Sequence, residues 1–216
     1  MRAIVDLPRL FVRTSVVPWK IDWRGQSSGP DTGGGDQTVV SGFPRFVGAV
    51  ALVLPPEMVL EFRAILTRLR GRVNALRVPM VDPLSGMVSG GLTAETYMAW
   101  QAGQYVEPRP KVRVVAAAAR GVGEIVVDET DILRPIQIGS NLSYDDRPFS
   151  VVGRSGYGAT VTLLVERLAV AIPEDAMIDL EARGIFTLDD PLAAMPDYGL
   201  DHVAQTTVAL TEWITR

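Results

Sequence analysis

Residues 45–82 read RFVGAVALVLPPEMVLEFRAILTRLRGRVNALRVPMVD, and the reading of this stretch decides the fold. Its first ten residues, Arg45 to Leu54, are apolar after the arginine and include three valines, which suits a largely buried strand. Pro55-Pro56 stops that strand, because proline has no N–H to give a sheet, yet its fixed φ is tolerated in the first turn of a helix. A helix is therefore predicted over about 57–70. There Val59, Phe62, Leu66 and Leu69 recur at spacings of three and four and form one apolar face. Glu57 and Glu61 lie near its N-terminal end and Arg68, Arg70 and Arg72 near its C-terminal end, as the helix dipole favours. Gly71 suits a C-terminal stop, and residues 74–79 read as the next strand.

Working outward, residues 19–24 (WKIDWR) alternate apolar and polar side chains, the pattern of a half-buried strand with Trp19 and Trp23 on its core face. Gly25 to Asp36 is rich in glycine and serine, includes Gly33-Gly34-Gly35, and reads as a mobile loop. Residues 82–110 carry several prolines and glycines with scattered aromatics. They read as a long excursion with one short helical turn near 93–101. From Lys111 onward, short apolar runs at 112–115, 124–127, 148–152, 159–165 and 205–213 are separated by Gly, Asp, Asn and Ser turns. Many short strands, one clear helix and no regular strand–helix alternation predict a mainly β fold. The simplest architecture is a β-sandwich or split barrel with one packed helix (about 57–70) and long loops. The expectation is one β-rich domain over 1–216 with the excursion at about 82–110; a sub-division near 110 is the alternative.

Composition narrows the function classes. A hydrophobic fraction of 47% and a charged fraction of 21% over 216 residues fit a folded chain with a sizeable core. A net charge of −4 gives no general drive toward nucleic acid or an anionic membrane. With no cysteine there is no disulfide, no thiolate nucleophile and no Cys-ligated metal. The N-terminal residues, interrupted by Asp6, Pro8 and Arg9, do not read as a signal peptide, and no apolar run reaches about 18 residues. A soluble product that stays in the cytoplasm where it is made, with no membrane insertion, is expected.

No catalytic set emerges. The one histidine is His202, and the best serine candidate, Ser155 in Gly153-Arg154-Ser155-Gly156-Tyr157, has Tyr157 where a nucleophile elbow needs glycine. That segment reads as a hairpin turn. The glycine triplet at 33–35 is followed by Asp36-Gln37 in place of the Lys-Ser/Thr of a phosphate loop. The acidic clusters Asp128/Glu129/Asp131, Asp145/Asp146 and Asp189/Asp190 have turn composition. Asp197 with Asp201-His202 is too small a set to argue for a metal. The expectation is a non-enzymatic protein with no cofactor, catalytic or metal-binding residues.

The candidates that remain are interface residues. Arg63, Arg68, Arg70, Arg72 and Arg77 place five arginines in fifteen residues. They have three readings: a solvated helix face that complements the dipole, a charged subunit interface, or the lining of a lumen that conducts nucleic acid, with overall acidity against the last. Tyr97 and Trp100, in the excursion, divide between core and interface use.

The order strand, Pro-Pro, helix, Arg-Gly segment, strand in 45–82 resembles the distal tail proteins of long-tailed bacteriophages. The resemblance extends through DILRPIQIGSNLSYDDRPFSVVGRSGYGATVTLLVERLAVAI (131–172), with its PFSVV strand, Gly-rich turn and ATVTLLVE strand, and through 184–188 and 205–214. It covers most of the chain as a pattern of strands and turns, and residues 83–110 depart from it. The resemblance implies a fold related to tail tube proteins and a ring, usually hexameric, of copies of this chain. That ring would join the tail tube protein to the tail-tip hub protein in the virion, with genomic DNA only as cargo passing along an axial channel. It implies no active site. A tail tube or tail-completion protein, a carbohydrate-binding adsorption module using the aromatics at 97–105, and, least, a cell-wall hydrolase stay as alternatives.

Overall fold

The computed structural model describes residues 2–12, 19–30, 36–39, 44–82, 84, 94–107, 109–166, 168–198 and 203–214. The glycine triplet at 33–35, most of 83–93, and Asp201 with His202 lie outside the described residues. The strand that ends in two prolines forms as its sequence dictates: β5 spans Arg45–Leu54. Pro55 is extended through its ψ of 160° (φ −64°), and α1 begins at Pro56 and runs to Leu69. Along β5 the side chains of Phe46, Val50, Leu52 and Leu54 face inward while Ala49, Ala51 and Val53 are exposed, the alternation of a sheet with one covered face.

β5 belongs to a seven-stranded sheet. Its other members are β1 (Ile4–Asp6), β2 (Lys20–Asp22), β6 (Ala75–Pro79), β13 (Arg183–Leu188), β14 (Asp197–Tyr198) and β15 (Ala204–Glu212), in the order β1-β6-β13-β15-β5-β2 with β14 also on β15. The long β5–β15 pair runs antiparallel from Val47↔Thr211 to Leu54↔Ala204. The inner face of this sheet packs against α1 through Met58, Val59, Phe62, Ile65, Leu66 and Leu69. A 3-10 turn at Arg9–Phe11 and a second helix, α2 (Ala94–Gln101), complete this layer. The short helical turn expected near 93–101 is thus a two-turn helix laid on the first core through Tyr97 and Trp100.

From Lys111 the chain builds a second unit. Strands β7 (Lys111–Ala116), β8 (Glu124–Asp128), β9 (Asn141–Tyr144), β10 (Arg147–Tyr157), β11 (Thr160–Glu166) and β12 (Met177–Asp179) close into a barrel in the order β10-β11-β8-β7-β12-β9. All its pairings are antiparallel, and bulges at Val151/Gly153 and Val114/Ala116 add the local twist that closure requires. Val112, Val114, Ile125, Val127, Leu142, Phe149, Val151, Val161, Leu163 and Ile178 fill it, and this core is separate from that of the sheet. The chain is mainly β, as its sequence predicts, and the closed barrel is its second architectural element.

Three local expectations are corrected. Trp19 is 9% exposed and stacks on Phe186 (4.9 Å between rings), but Trp23 is 44% exposed, because β2 ends at Asp22 and Arg24 takes a left-handed φ of 52°. Within the Gly25–Asp36 segment, β3 (Gln26–Pro30) pairs with β4 (Asp36–Val39) as a separate two-stranded ribbon. Residues 153–157 are the last five of β10, not a turn: Tyr157 pairs with Thr160, so the hairpin turns at Gly158-Ala159.

Candidate subunit interface

Arg63 and Arg68 project from the outward face of α1, beside exposed Leu60, Ala64 and Thr67. The helix then closes at Arg70, which caps it in the left-handed region (φ 49°, ψ 51°) and donates its N–H to the Thr67 carbonyl. Asn74 finishes the end by donating from Nδ2 to the Arg68 carbonyl (2.8 Å) and from its own N–H to the Leu69 carbonyl (3.0 Å). Arg72 follows in the same turn, next to exposed Val73. A Cβ at Gly71 would lie 4.0 Å from Pro191 Cγ, so this turn abuts the Asp189–Met195 segment. Arg63, Arg68, Arg70 and Arg72 are all exposed and, among the described residues, none of them pairs with a carboxylate.

Arg77 does not join them. It lies on β6, on the sheet face away from the helices. Its Nε and Nη2 reach Asp146 Oδ2 (2.9 and 2.8 Å) and its Nη1 reaches Asp6 Oδ1 (2.8 Å). Asp146 sits in the two-residue turn between β9 and β10, where Asp145 (φ 51°) and Asp146 (φ 56°) are both left-handed, as a tight hairpin of this length requires. Arg77 thus fastens the barrel to the sheet within one chain.

Tyr97 and Trp100 are also engaged. The Trp100 ring meets Phe11 edge-on (5.8 Å) and Tyr97 lies 5.9 Å from Trp100, while Phe11 in turn packs on Phe62 of α1. Both rings are half-buried against the first core, and what α2 exposes is Glu95, Met98 and Gln101.

The sequence reading missed a buried charged seam between sheet and barrel. Arg9 Nε bridges both carboxylate oxygens of Glu181 (2.9 and 3.0 Å), and each of these side chains is 9% exposed. Arg183 donates from Nη2 to Glu107 (3.2 Å) and from its backbone N–H to Ser143 Oγ (2.8 Å), while Arg147 Nη1 donates to the Trp213 carbonyl (2.9 Å). Burial raises the Glu181 carboxyl above its ordinary range against the pull of Arg9. The signal for this seam was a charge embedded in an apolar run, Glu181 between Leu180 and Ala182 and Arg183 after Ala182. A second such pair, Glu129 with Arg154 (3.0 Å), holds the loop after β8, where Glu129 also accepts from the Ile136 N–H (3.0 Å).

Among the described residues no three acidic or histidine side chains converge to hold a metal ion, and no helix is long and apolar enough to cross a membrane. What the surface offers is an unpaired basic helix end and, on the opposite sheet face, an uncharged strip of Val47, Ala49, Ala51 and Val53 beside Gln205, Thr207, Ala209 and Thr211. Compared with known proteins, no protein-family model and no curated protein matches this sequence.

Proposed function

We propose that this protein is a structural, non-enzymatic component of a phage tail: a distal tail protein. In this reading its copies close into a ring, hexameric by resemblance, between the tail tube protein and the tail-tip hub protein, and genomic DNA passes through the axial opening. The observation that carries this reading is the open face of the β5–β15 pair. Val47, Ala49, Ala51, Val53, Gln205, Thr207, Ala209 and Thr211 present no charge along eight paired residues, with charge only at the ends of the strip, Lys20 beside Val47 and Asp197 beside Gln205. A monomeric β protein ordinarily guards such a face with charged side chains or covers it, since an uncharged pleated surface invites association. The Arg77–Asp146 ion pair that fastens the barrel to the sheet supports the same reading, because it gives a ring subunit a fixed shape.

Native mass spectrometry of the purified chain, alone and with co-expressed tube and hub proteins, tests it. A closed oligomer of defined copy number is expected. A strict monomer at high concentration in the presence of both partners would sink the reading.

A further inference from the structure

We infer that the basic end of α1 docks on the β8–β11 wall of the barrel of a second copy of this chain, an inference that rests on the ring reading. The C-terminal half of α1 and the turn after it carry exposed Arg63, Arg68, Arg70 and Arg72, while Glu57 and Glu61 hold its N-terminal half. The β8–β11 wall carries exposed Glu124 and Glu166, and among the described residues none of these four arginines and two glutamates makes an ion pair. Glu124 lies directly opposite Leu164 in the β8–β11 register, and Glu166 is two residues further along β11, on the same outward face. The two carboxylates are therefore diagonal neighbours, roughly 7–8 Å apart at their backbones.

The two surfaces match in more than charge. Beside Glu124 and Glu166 the wall carries exposed Leu164, which lies over Gly153, together with exposed Val122 and Val152. On α1 the arginines flank Thr67 and Val73, and Leu60, 69% exposed, lies one turn nearer the N-terminus between Glu57 and Arg63. The C-terminal end of α1 is thus basic and the wall acidic, each beside exposed apolar side chains. Arg70 adds a second observation: it occupies a left-handed helix cap where glycine would be unstrained, so a guanidinium stands there against backbone preference. Because the two patches are separate surfaces of one chain, a head-to-tail pairing is open to them, and a contact of that kind generates a ring when its rotation closes. Nucleic acid is a poorer occupant, since the chain is acidic overall, at −4.

The test uses charge reversal in the full chain, read by native mass spectrometry and sedimentation across a salt series. Arg68→Glu/Arg72→Glu and, separately, Glu124→Arg/Glu166→Arg should each raise the concentration needed for assembly by about ten-fold or more. The chain carrying all four changes should recover assembly, and so should a mixture of the two double variants, which also shows that each folds. If the wild type assembles and neither double variant changes its assembly, the docking inference is wrong while the ring reading stands. If the wild type does not assemble even with tube and hub proteins, the ring reading itself fails. Loss of DNA retention in a low-salt mobility-shift assay on Arg68→Glu/Arg72→Glu, without rescue of assembly by the four-fold variant, would assign the arginines to nucleic acid and overturn the inference.

Discussion

Arg9 and Glu181 meet 172 positions apart in sequence, the Arg9 Nε–H shared between both carboxylate oxygens, and both side chains are almost wholly withdrawn from water. Removing one member of such a pair leaves the other buried and uncompensated, so Arg9→Met should cost about 3 kcal/mol or more in urea unfolding. The double variant Arg9→Met/Glu181→Leu should recover most of that loss, because two apolar side chains need no partner. Strict additivity of the two single losses would mean that the side chains do not act as a pair. Their pH behaviour has a definite sign. Glu181, raised above 4.5 by desolvation, holds its proton more readily in the folded than in the unfolded chain, so its own contribution favours folding increasingly as pH falls through the raised value. Asp128 works the other way: hydrogen bonds from the Thr130 hydroxyl, from Arg113 and from the Thr130 N–H lower it from 3.8 to about 2. Its stabilisation is complete above 3.8 and is lost as pH falls through about 2. The stability gap between the wild type and Asp128→Asn should therefore shrink across that window in acid titrations followed by fluorescence. A gap that stays constant there would show that Asp128 titrates normally.

Helix α1 carries the layer that covers the sheet, and its ends show how elements balance stability against surface. A non-glycine residue in the left-handed region is disfavoured by roughly 1–2 kcal/mol. Arg70→Gly should therefore stabilise the monomer by about 1 kcal/mol in thermal unfolding while weakening assembly, a split that a merely structural role for Arg70 would not produce. At this scale the sequence was most legible where the physics is local. The proline pair, the three-and-four spacing of Val59, Phe62, Leu66 and Leu69, and the alternation after Lys111 each act within a few residues, and each became the element it announced. It was least legible where pairing decides. β12 is three residues, Met177–Asp179, in a stretch broken by acidic side chains, and its strand character comes from β7 and β9 on either side. The β3–β4 ribbon overrides a glycine- and serine-rich composition that reads as loop. Of the candidate interface residues, the four helix-end arginines share a surface because helical geometry is local. Arg77 left them because a strand turned it toward Asp6 and Asp146, which spacing alone cannot reveal.

The whole molecule is a sheet with a barrel inserted between two of its neighbouring strands. β6 and β13 pair directly, Pro79 with Arg183, although the chain between them makes α2 and then the entire barrel. The barrel's own ends also meet: Lys111 pairs with Asp179, and the Leu180 N–H donates to the Pro110 carbonyl at 2.9 Å. Residues 111–179 can therefore be replaced by a two-residue Asn-Gly hairpin turn without moving either side of the cut. The shortened chain keeps the first core complete, including the Tyr97 and Trp100 contacts, since none of its members comes from the barrel. It loses the Ser143 bond to the Arg183 N–H, the Asp146 clamp on Arg77 and the cover of Pro148 over Gly184, so it should fold cooperatively but less stably. Urea unfolding should give a single transition with a lower midpoint and a smaller slope, because less surface is exposed on unfolding. The near-ultraviolet signal of packed Trp19 and Trp100 should remain. A chain with secondary structure but no cooperative transition would mean that the sheet cannot form its core without the barrel, and that the two are one folding unit. If the shortened chain folds, its self-association becomes a further readout. It retains the arginines of α1 but has lost Glu124 and Glu166, so a head-to-tail ring that uses both should no longer close, whereas a ring held by the uncharged β5–β15 face alone should persist.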